Sequence, residues 1–395
     1  MADTASEKPE ENATEPEVAT EKAEEAQPPK EMRAVVTTAF GGLKYVKLAK
    51  KPEPVAGDGE VLVRVKSCGI NFLDLMLVKQ GADDNSTKSP LILGFECAGE
   101  IEAAGENVTT YKPGDKVVLL TESKAWAELV VIPTKYVYKL PVGMSFQDAA
   151  AITMNFVTAY ILLFDIGGLQ KGKSVLVHSA AGGVGQAIAQ LCKTVEDVTV
   201  LGVCSQTKHE AIKDTFTHLF DRSQDYSAEV KKISPDGVDL VLDCLCGEDC
   251  NRGYSLLKPM GKYVLYGVTN VTGEAFRLFN LFGNAKAKWQ MTKVNPINPI
   301  KLYEENKSVA GFNLRHLLFQ QGQHDYVRSV VEKVLHLWQN GKIKSVIDST
   351  WALEDIVEAM QKIHDRKNVG KIVIDMSMEP KPKPPPQVNK ETQTN

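Results

Sequence analysis

The sequence predicts an α/β protein: a doubly wound parallel sheet joined to a smaller, discontinuous β-rich domain, with a polar tail at each end. Three observations predict it. Through the middle of the chain, apolar strands alternate with amphipathic helical segments of roughly ten to fifteen residues, as in βαβ units. One of those strands runs through a glycine-rich turn straight into a helix. Ahead of this region lie short strands cut by Gly and Pro, and one strand–helix–strand unit follows it.

Taken in order, residues 1–30 carry nine Asp/Glu against three Lys and almost no large apolar side chain. Such a segment cannot offset its ordering entropy and is expected to be disordered. Residues 31–150 hold MRAVVTTAF, EVLVRVKSCGI, CAGEIEAAG, DKVVLL and AELVVIP, short strands that form the leading segment of the β-rich domain. Residues 151–341 form the parallel-sheet domain: SVLVHS then VGQAIAQLCKTV, VTVLGVC then KHEAIKD, THLFD then YSAEVKKI, followed by VDLVLDCL and KYVLYGV. Residues 342–375 read as strand, helix and strand, returning to pack on the β-rich domain and complete it. The proline-rich residues 376–395 are expected to be an extended, disordered tail.

Bulk properties exclude several classes. The net charge is −4, of which the first 30 residues carry about −6, so the body is close to neutral. Nucleic-acid binding needs a concentrated basic face, and none is present. No run approaches the about 18 apolar residues of a spanning helix, and AAAITMNFVTAYILLF reads as a buried helix. With no secretory signal and seven cysteines lacking disulfide-framework spacing, the expected compartment is cytoplasmic, with peripheral membrane contact left open.

The stretch SVLVHSAAGGVGQAIAQLCK carries the strongest chemical signal. Its turn, Ala181, Gly182, Gly183, Val184 and Gly185, lets backbone approach a pyrophosphate without a Cβ in the way. The helix that follows offers free N–H groups and partial positive charge to phosphates. The next strand ends at LGVCSQTKHE, where NAD sites usually place an acid for the ribose hydroxyls. Here Ser205 can donate to a 2′-phosphate and Lys208 can neutralise it, so NADPH is the expected cofactor. The alternative is a solvent-facing lysine at a helix start.

The same run, with EVLVRVKSCGINFLDL, GFECAGEIEAAGENVTTYKPGDKV, AAAITMNFVTAY and NVGKIVI, resembles the quinone oxidoreductases of the medium-chain dehydrogenase/reductase superfamily over residues 32–375. More narrowly, HEAIKDTFTHLFDR, KKISPDGVDLVLD and GYSLLKPMGKYVLYG resemble the vesicle amine transport protein homologues. The resemblance implies a Rossmann-type domain and a discontinuous GroES-like domain. Zinc-dependent members hold metal where this chain has Asn71, Phe95 and Met154 or Asn155. A phenyl ring cannot ligate zinc and an amide replaces thiolate poorly, so no zinc is expected. Cys68 and Cys97 are read as core filling, and CLCGEDC (244–250) as structural or, less favoured, metal-binding.

Without a Lewis acid the remaining chemistry is hydride transfer to an already polarised quinone or enone. Asn71 is the leading catalytic candidate as an amide donor. Asn155, Thr158 and Tyr160, on the helix between the domains, could line the cleft or be satisfied within the helix. The resemblance further implies cofactor contacts from Tyr266, Gly267, Phe312, Asn368 and Lys371, and a homodimer. Phe220 stands where quinone reductases often have Tyr near the 2′-phosphate. Residues 274–291, mixing Phe, Leu and Trp with basic residues, are expected to be a substrate lid or dimer contact, or else a lipid-touching loop. The competing functional reading is a nucleotide-binding, membrane-associated scaffold of vesicle or organelle membranes.

Overall fold

The computed structural model describes residues 30–81, 89–270 and 294–382. Residues 1–29, 274–291 and 383–395, on which expectations about the tails and the lid, dimer or lipid contact rest, lie outside the described residues.

The fold class is the one the sequence predicts. The β-rich domain opens with β1 (Glu31–Thr37), β2 (Val46–Pro52), β3 (Glu60–Ile70) and helix α1 (Phe72–Gln80). It continues through β4 (Leu91–Ile92), β5 (Glu96–Ala104), β6 (Lys116–Leu120), β7 (Leu129–Pro133) and β8 (Val137–Lys139). Near the C-terminus come β15 (Ile347–Trp351), a helix over Ile356–His364, and β16 (Lys371–Asp375). The returning strand β16 pairs antiparallel with β3, Ile374 opposite Cys68, in a sheet ordered β15-β16-β3-β5-β6-β8, with β7 also on β3. Antiparallel sheets alternate faces, and the first half of β3 does so: Val61, Val63 and Val65 are buried while Arg64 points to water.

The tail begins later than expected. Met376 N donates to Lys66 O at 3.0 Å, Lys381 N to Asp355 Oδ2 at 3.0 Å, and the Lys381 ammonium lies 3.4 Å from the Trp351 ring centroid. Met376 and Lys381 are therefore tied to the β-rich domain by backbone hydrogen bonds and a cation–π contact that composition alone does not reveal, while residues 377–382 remain exposed.

Between these halves, six strands form the parallel sheet β11-β10-β9-β12-β13-β14. They are β9 (Ser174–His178), β10 (Thr199–Cys204), β11 (His218–Asp221), β12 (Val238–Asp243), β13 (Leu257–Leu265) and β14 (Ser308–Gly311). The central strands are buried on both faces, which is why they read as unbroken apolar runs. The strand order reverses between β9 and β12, and a crevice opens there at the carboxyl ends.

Helix α2 (Phe146–Tyr160) joins the two domains. Ser145 caps it by accepting from Asp148 N at 3.0 Å, and it runs on through a π-turn, Ile161–Ile166. The combined helix Phe146–Ile166 is 21 residues long and holds an 18-residue stretch of mean hydropathy 1.7, long and apolar enough to cross a membrane by length and composition. The expectation that no stretch reaches that length is corrected: the helix runs three residues before and two beyond the apolar run of residues 149–164. Of that 18-residue stretch 72% is buried against the rest of the protein, as expected for a core helix.

Candidate active site

A cleft of about 790 Å³ lies where the glycine turn, the carboxyl ends of the parallel strands and the β-rich domain meet. That volume is within the usual range for small-molecule and cofactor sites. Its floor is the turn itself. Helix α3 (Gly183–Cys192) starts immediately after Gly182, so its first N–H groups face the cleft. A Cβ on Gly185 would sit 2.5 Å from Ala180 O and 2.7 Å from Ser179 O, so only glycine fits this close backbone approach. A Cβ on Gly183 would lie 2.3 Å from Asn155 Nδ2. The returning segment closes over the turn: Gly370 N donates to Ala181 O at 2.8 Å.

Beyond the end of β10, where an acid would be read as an NAD site, Cys204, Ser205 and Lys208 line the wall. Lys208 Nζ donates to Asn368 O at 2.7 Å, which ties β10 to the returning segment. Burial pushes the Lys208 ammonium below its ordinary range, and the charges of Arg222 and Arg366 push it the same way, against Cys204 and Asp348. Both arginines line the cleft, and among the described residues neither forms an ion pair with a carboxylate. Three mutually repelling cations at one wall concentrate positive potential there. Sequence reading missed both arginines. Each looks like an ordinary surface residue, one just after β11 and the other just after the Ile356–His364 helix, and only the fold brings them to Lys208. Phe220 is buried in the sheet and does not line the cleft, so its replacement of Tyr leaves the cation cluster untouched.

Asn71, Phe72, Leu73 and Met76, from the start of α1, form the β-rich wall, with Met154, Asn155 and Thr158 from α2 beside them. Asn71 Nδ2 donates to Glu96 Oε1 at 2.9 Å, and its Oδ1 accepts from Lys371 Nζ at 2.5 Å. Lys371 also donates to Glu96 Oε1, and Met154 N donates to Glu96 Oε2 at 3.0 Å. Glu96 is fully buried, and Lys371 is nearly so while reaching the cleft. Beneath Asn71 its backbone N–H donates to Asp74 Oδ2 at 2.7 Å, whereas Asp74 Oδ1 has no partner. Burial raises the Asp74 carboxyl to about 8, with the Asn71 amide and the Lys371 charge opposing, so it is largely protonated at neutral pH.

Of the residues singled out in the sequence, Asn71, Asn155, Thr158, Ala181, Gly182, Gly183, Val184, Gly185, Ser205, Lys208, Tyr266, Gly267, Phe312, Asn368 and Lys371 all line this one cleft. Asn155 is a packing residue as much as a lining one: Nδ2 donates to Ala151 O at 3.2 Å and its amide fills the space above Gly183. Tyr160 is the correction. Two residues beyond Thr158 it points well around the helix from the cleft, with its ring tilted against Phe164 at 4.7 Å and Lys333 Nζ 5.5 Å from its ring centroid. It does not line the cleft.

Two family descriptions match the chain: "Alcohol dehydrogenase GroES-like domain" over residues 57–142 and "Zinc-binding dehydrogenase" over residues 214–374. The zinc of that second description does not fit the residues present. Asn71 is engaged with Glu96 and Lys371, Phe95 is buried in the core, and an ammonium occupies the carboxylate oxygen. The mouse synaptic vesicle membrane protein VAT-1 homolog-like is 57% identical over 353 residues, covering 89% of this chain and 83% of the relative. The crystal structure of the human VAT-1 homolog-like protein, 52% identical, covers 89% of this chain and 99% of its own with a TM-score of 0.77. CurK enoyl reductase is 26% identical with a TM-score of 0.73, covering 88% of this chain and 99% of its own. A mycobacterial structure complexed with NADPH, 24% identical, covers 87% and 99% with a TM-score of 0.73, and shares the fold.

Proposed function

Because the chain belongs to the synaptic vesicle membrane protein VAT-1 homolog family, within the medium-chain dehydrogenase/reductase superfamily, we propose that it is an NADPH-dependent, zinc-independent reductase of quinones or enones. The observation that carries this reading is the convergence of Lys208, Arg222 and Arg366 on the cleft wall at the end of β10. An adenosine ribose bearing a 2′-phosphate supplies the charge these cations lack, whereas an unphosphorylated ribose does not. The Gly182–Gly183–Gly185 turn and the start of α3 would hold the pyrophosphate. NADPH, when bound, supplies the hydride.

The chain's own role is to receive the charge that hydride addition leaves on the acceptor oxygen. Lys371 has three N–H donors, of which Asn71 Oδ1 and Glu96 Oε1 take two, leaving one for the cleft. Asn71 has a second amide N–H besides the one given to Glu96. Donors held rigid by a buried carboxylate and aimed at a developing oxyanion stabilise it without reorganisation. Phe72, Leu73, Met76, Met154, Phe312 and Leu317 give the cleft an apolar lining suited to a planar quinone or enone and to excluding water. NADPH oxidation measured against a panel of quinones and enones tests the reading, and no turnover at saturating cofactor with any acceptor overturns it.

The relatives' naming as vesicle membrane proteins favours a second reading, a cytoplasmic protein held peripherally on vesicle membranes. Flotation of the full chain with anionic and neutral vesicles tests it, and recovery in the soluble fraction with both removes it.

A further inference from the structure

The CLCGEDC stretch falls outside the chemistry above, and among the described residues no group of three or more His, Cys, Asp or Glu could hold a metal. What the fold makes of it is a pair of facing thiols. Cys246 lies in a left-handed backbone conformation (φ 64°) just before the helix Glu248–Ser255, and Cys250 is in that helix's first turns. Their sulfurs are 3.5 Å apart. Cys250 Sγ is also 3.1 Å from Tyr263 Oη, which donates to Asp243 Oδ2 at 2.5 Å. Asp243 in turn accepts from Leu245 N at 2.6 Å and pairs with His178 Nδ1 at 2.8 Å. The Cys250 thiol directed at Cys246 pushes the Cys246 thiol below its ordinary value against the effect of burial, while the same contact and burial push Cys250 up. One sulfur is thus disposed to be the thiolate and the other to hold the proton, the asymmetry a nucleophile and its resolving partner need.

The contrast with the other facing pair is informative. Cys68 and Cys97 sit opposite each other on β3 and β5, yet both are 0% exposed, and Cys68 Sγ donates to Ala125 O at 3.2 Å. Burial raises both of those thiols. Cys246 and Cys250 keep 9% and 8% of their surface open, and Cys246 follows directly on Cys244 and Leu245, which line the cleft.

We propose that Cys246 and Cys250 form a reversible dithiol that a hydroperoxide oxidises to an intrachain disulfide. The Cys246 thiolate attacks the peroxide, breaking its O–O bond and becoming a sulfenic acid while water or an alcohol departs. Cys250 sulfur then displaces the sulfenic oxygen, its proton leaving with that oxygen as water. Two thiols and one hydroperoxide give one disulfide, one water and one water or alcohol.

The test is native full-length protein treated with hydrogen peroxide, then denatured, alkylated and mapped by mass spectrometry. The expected result is joint loss of alkylation at Cys246 and Cys250, a peptide lighter by two hydrogens, full recovery after a thiol reductant, and free Cys68 and Cys97. Cys250→Ser is expected to stop the reaction at a Cys246 sulfenic acid captured by dimedone. Cys246→Ser is expected to leave Cys250 reduced, and Cys244→Ser to leave the link intact. Full alkylation of both cysteines in the wild type, overoxidation without a link, or a link that needs Cys244 overturns the proposal.

Discussion

Lys208→Gln is the sharpest test of the cofactor reading. The substitution keeps a donor that can reach Asn368 O and removes only the positive charge. A charge-assisted hydrogen bond is worth about 1.5–3 kcal/mol. Lys208 is half-buried and its two arginine neighbours remain, so solvent screening and the residual charge place the effect at the low end. The expected outcome is a roughly tenfold weaker NADPH affinity, with NADH affinity changed by less than about twofold, since the unphosphorylated ribose brings no charge to this wall. Fluorescence or calorimetric titration with both dinucleotides reads the difference. Two dependencies follow from the same electrostatics. Because burial depresses the Lys208 ammonium, NADPH affinity is full below its lowered value and falls as pH rises through it. Added salt weakens NADPH more than NADH, and less so in the variant. Equal weakening of both dinucleotides, or none, refutes the claim that this wall binds a phosphate.

Gly185→Ala is expected to abolish dinucleotide binding and destabilise the fold by about 1–3 kcal/mol, because the added carbon meets backbone oxygens that cannot move aside. Gly182→Ala, with only Ser179 O at 3.2 Å, is expected to be milder in the same titration and thermal melt. Asp74 holds a proton in the folded protein that it gives up when unfolded, so stability falls as pH rises from about 4 to about 8. Relative to Asp74→Asn, the wild type is expected to lose about 1.4 kcal/mol per pH unit in that window, read from denaturant midpoints; a pH-independent difference refutes it. Lys371→Met, which removes the donor but keeps the length, is expected to lower kcat by roughly a hundredfold or more while NADPH Kd moves little. Loss of Kd and kcat together makes Lys371 a binding residue instead.

What the sequence revealed was local. A strand, a glycine turn and a helix occupy consecutive residues, so the phosphate floor was visible as a string, and Ser205 with Lys208 followed at the expected spacing. Lys371 was visible through the closing NVGK run, although its partners Glu96 and Asn71 lie hundreds of residues away. What the sequence hid was orientation and convergence. Tyr160 shares a helix with Asn155 and Thr158, but the two-residue step from Thr158 turns it out of the cleft. Arg222 and Arg366 approach Lys208 only because β11 and the returning segment converge on the end of β10. The thiol pair was legible as spacing but not as chemistry, since a left-handed residue ahead of the Glu248–Ser255 helix is what turns two cysteines toward one another.

The Asn71–Glu96–Lys371 cluster keeps charge at the β-rich wall without a metal ligand set. A buried carboxylate such as Glu96 is costly unless it is paired and hydrogen-bonded. Here Lys371, Asn71 and the Met154 amide take its lone pairs, and the ammonium stands on the oxygen nearest Asn71. The cation is delivered by β16, whose pairing with β3 depends on the returning segment, and Gly370 fixes that same segment to the phosphate turn. One short stretch thus joins the glycine turn to the Lys371 ammonium at the cleft wall. A fixed ammonium cannot bind an alkoxide as an open metal coordination position does, but it can donate to an enolate or hydroquinone oxygen. An ammonium at this wall and the apolar lining of the cleft are both consistent with the proposed reduction of conjugated carbonyls.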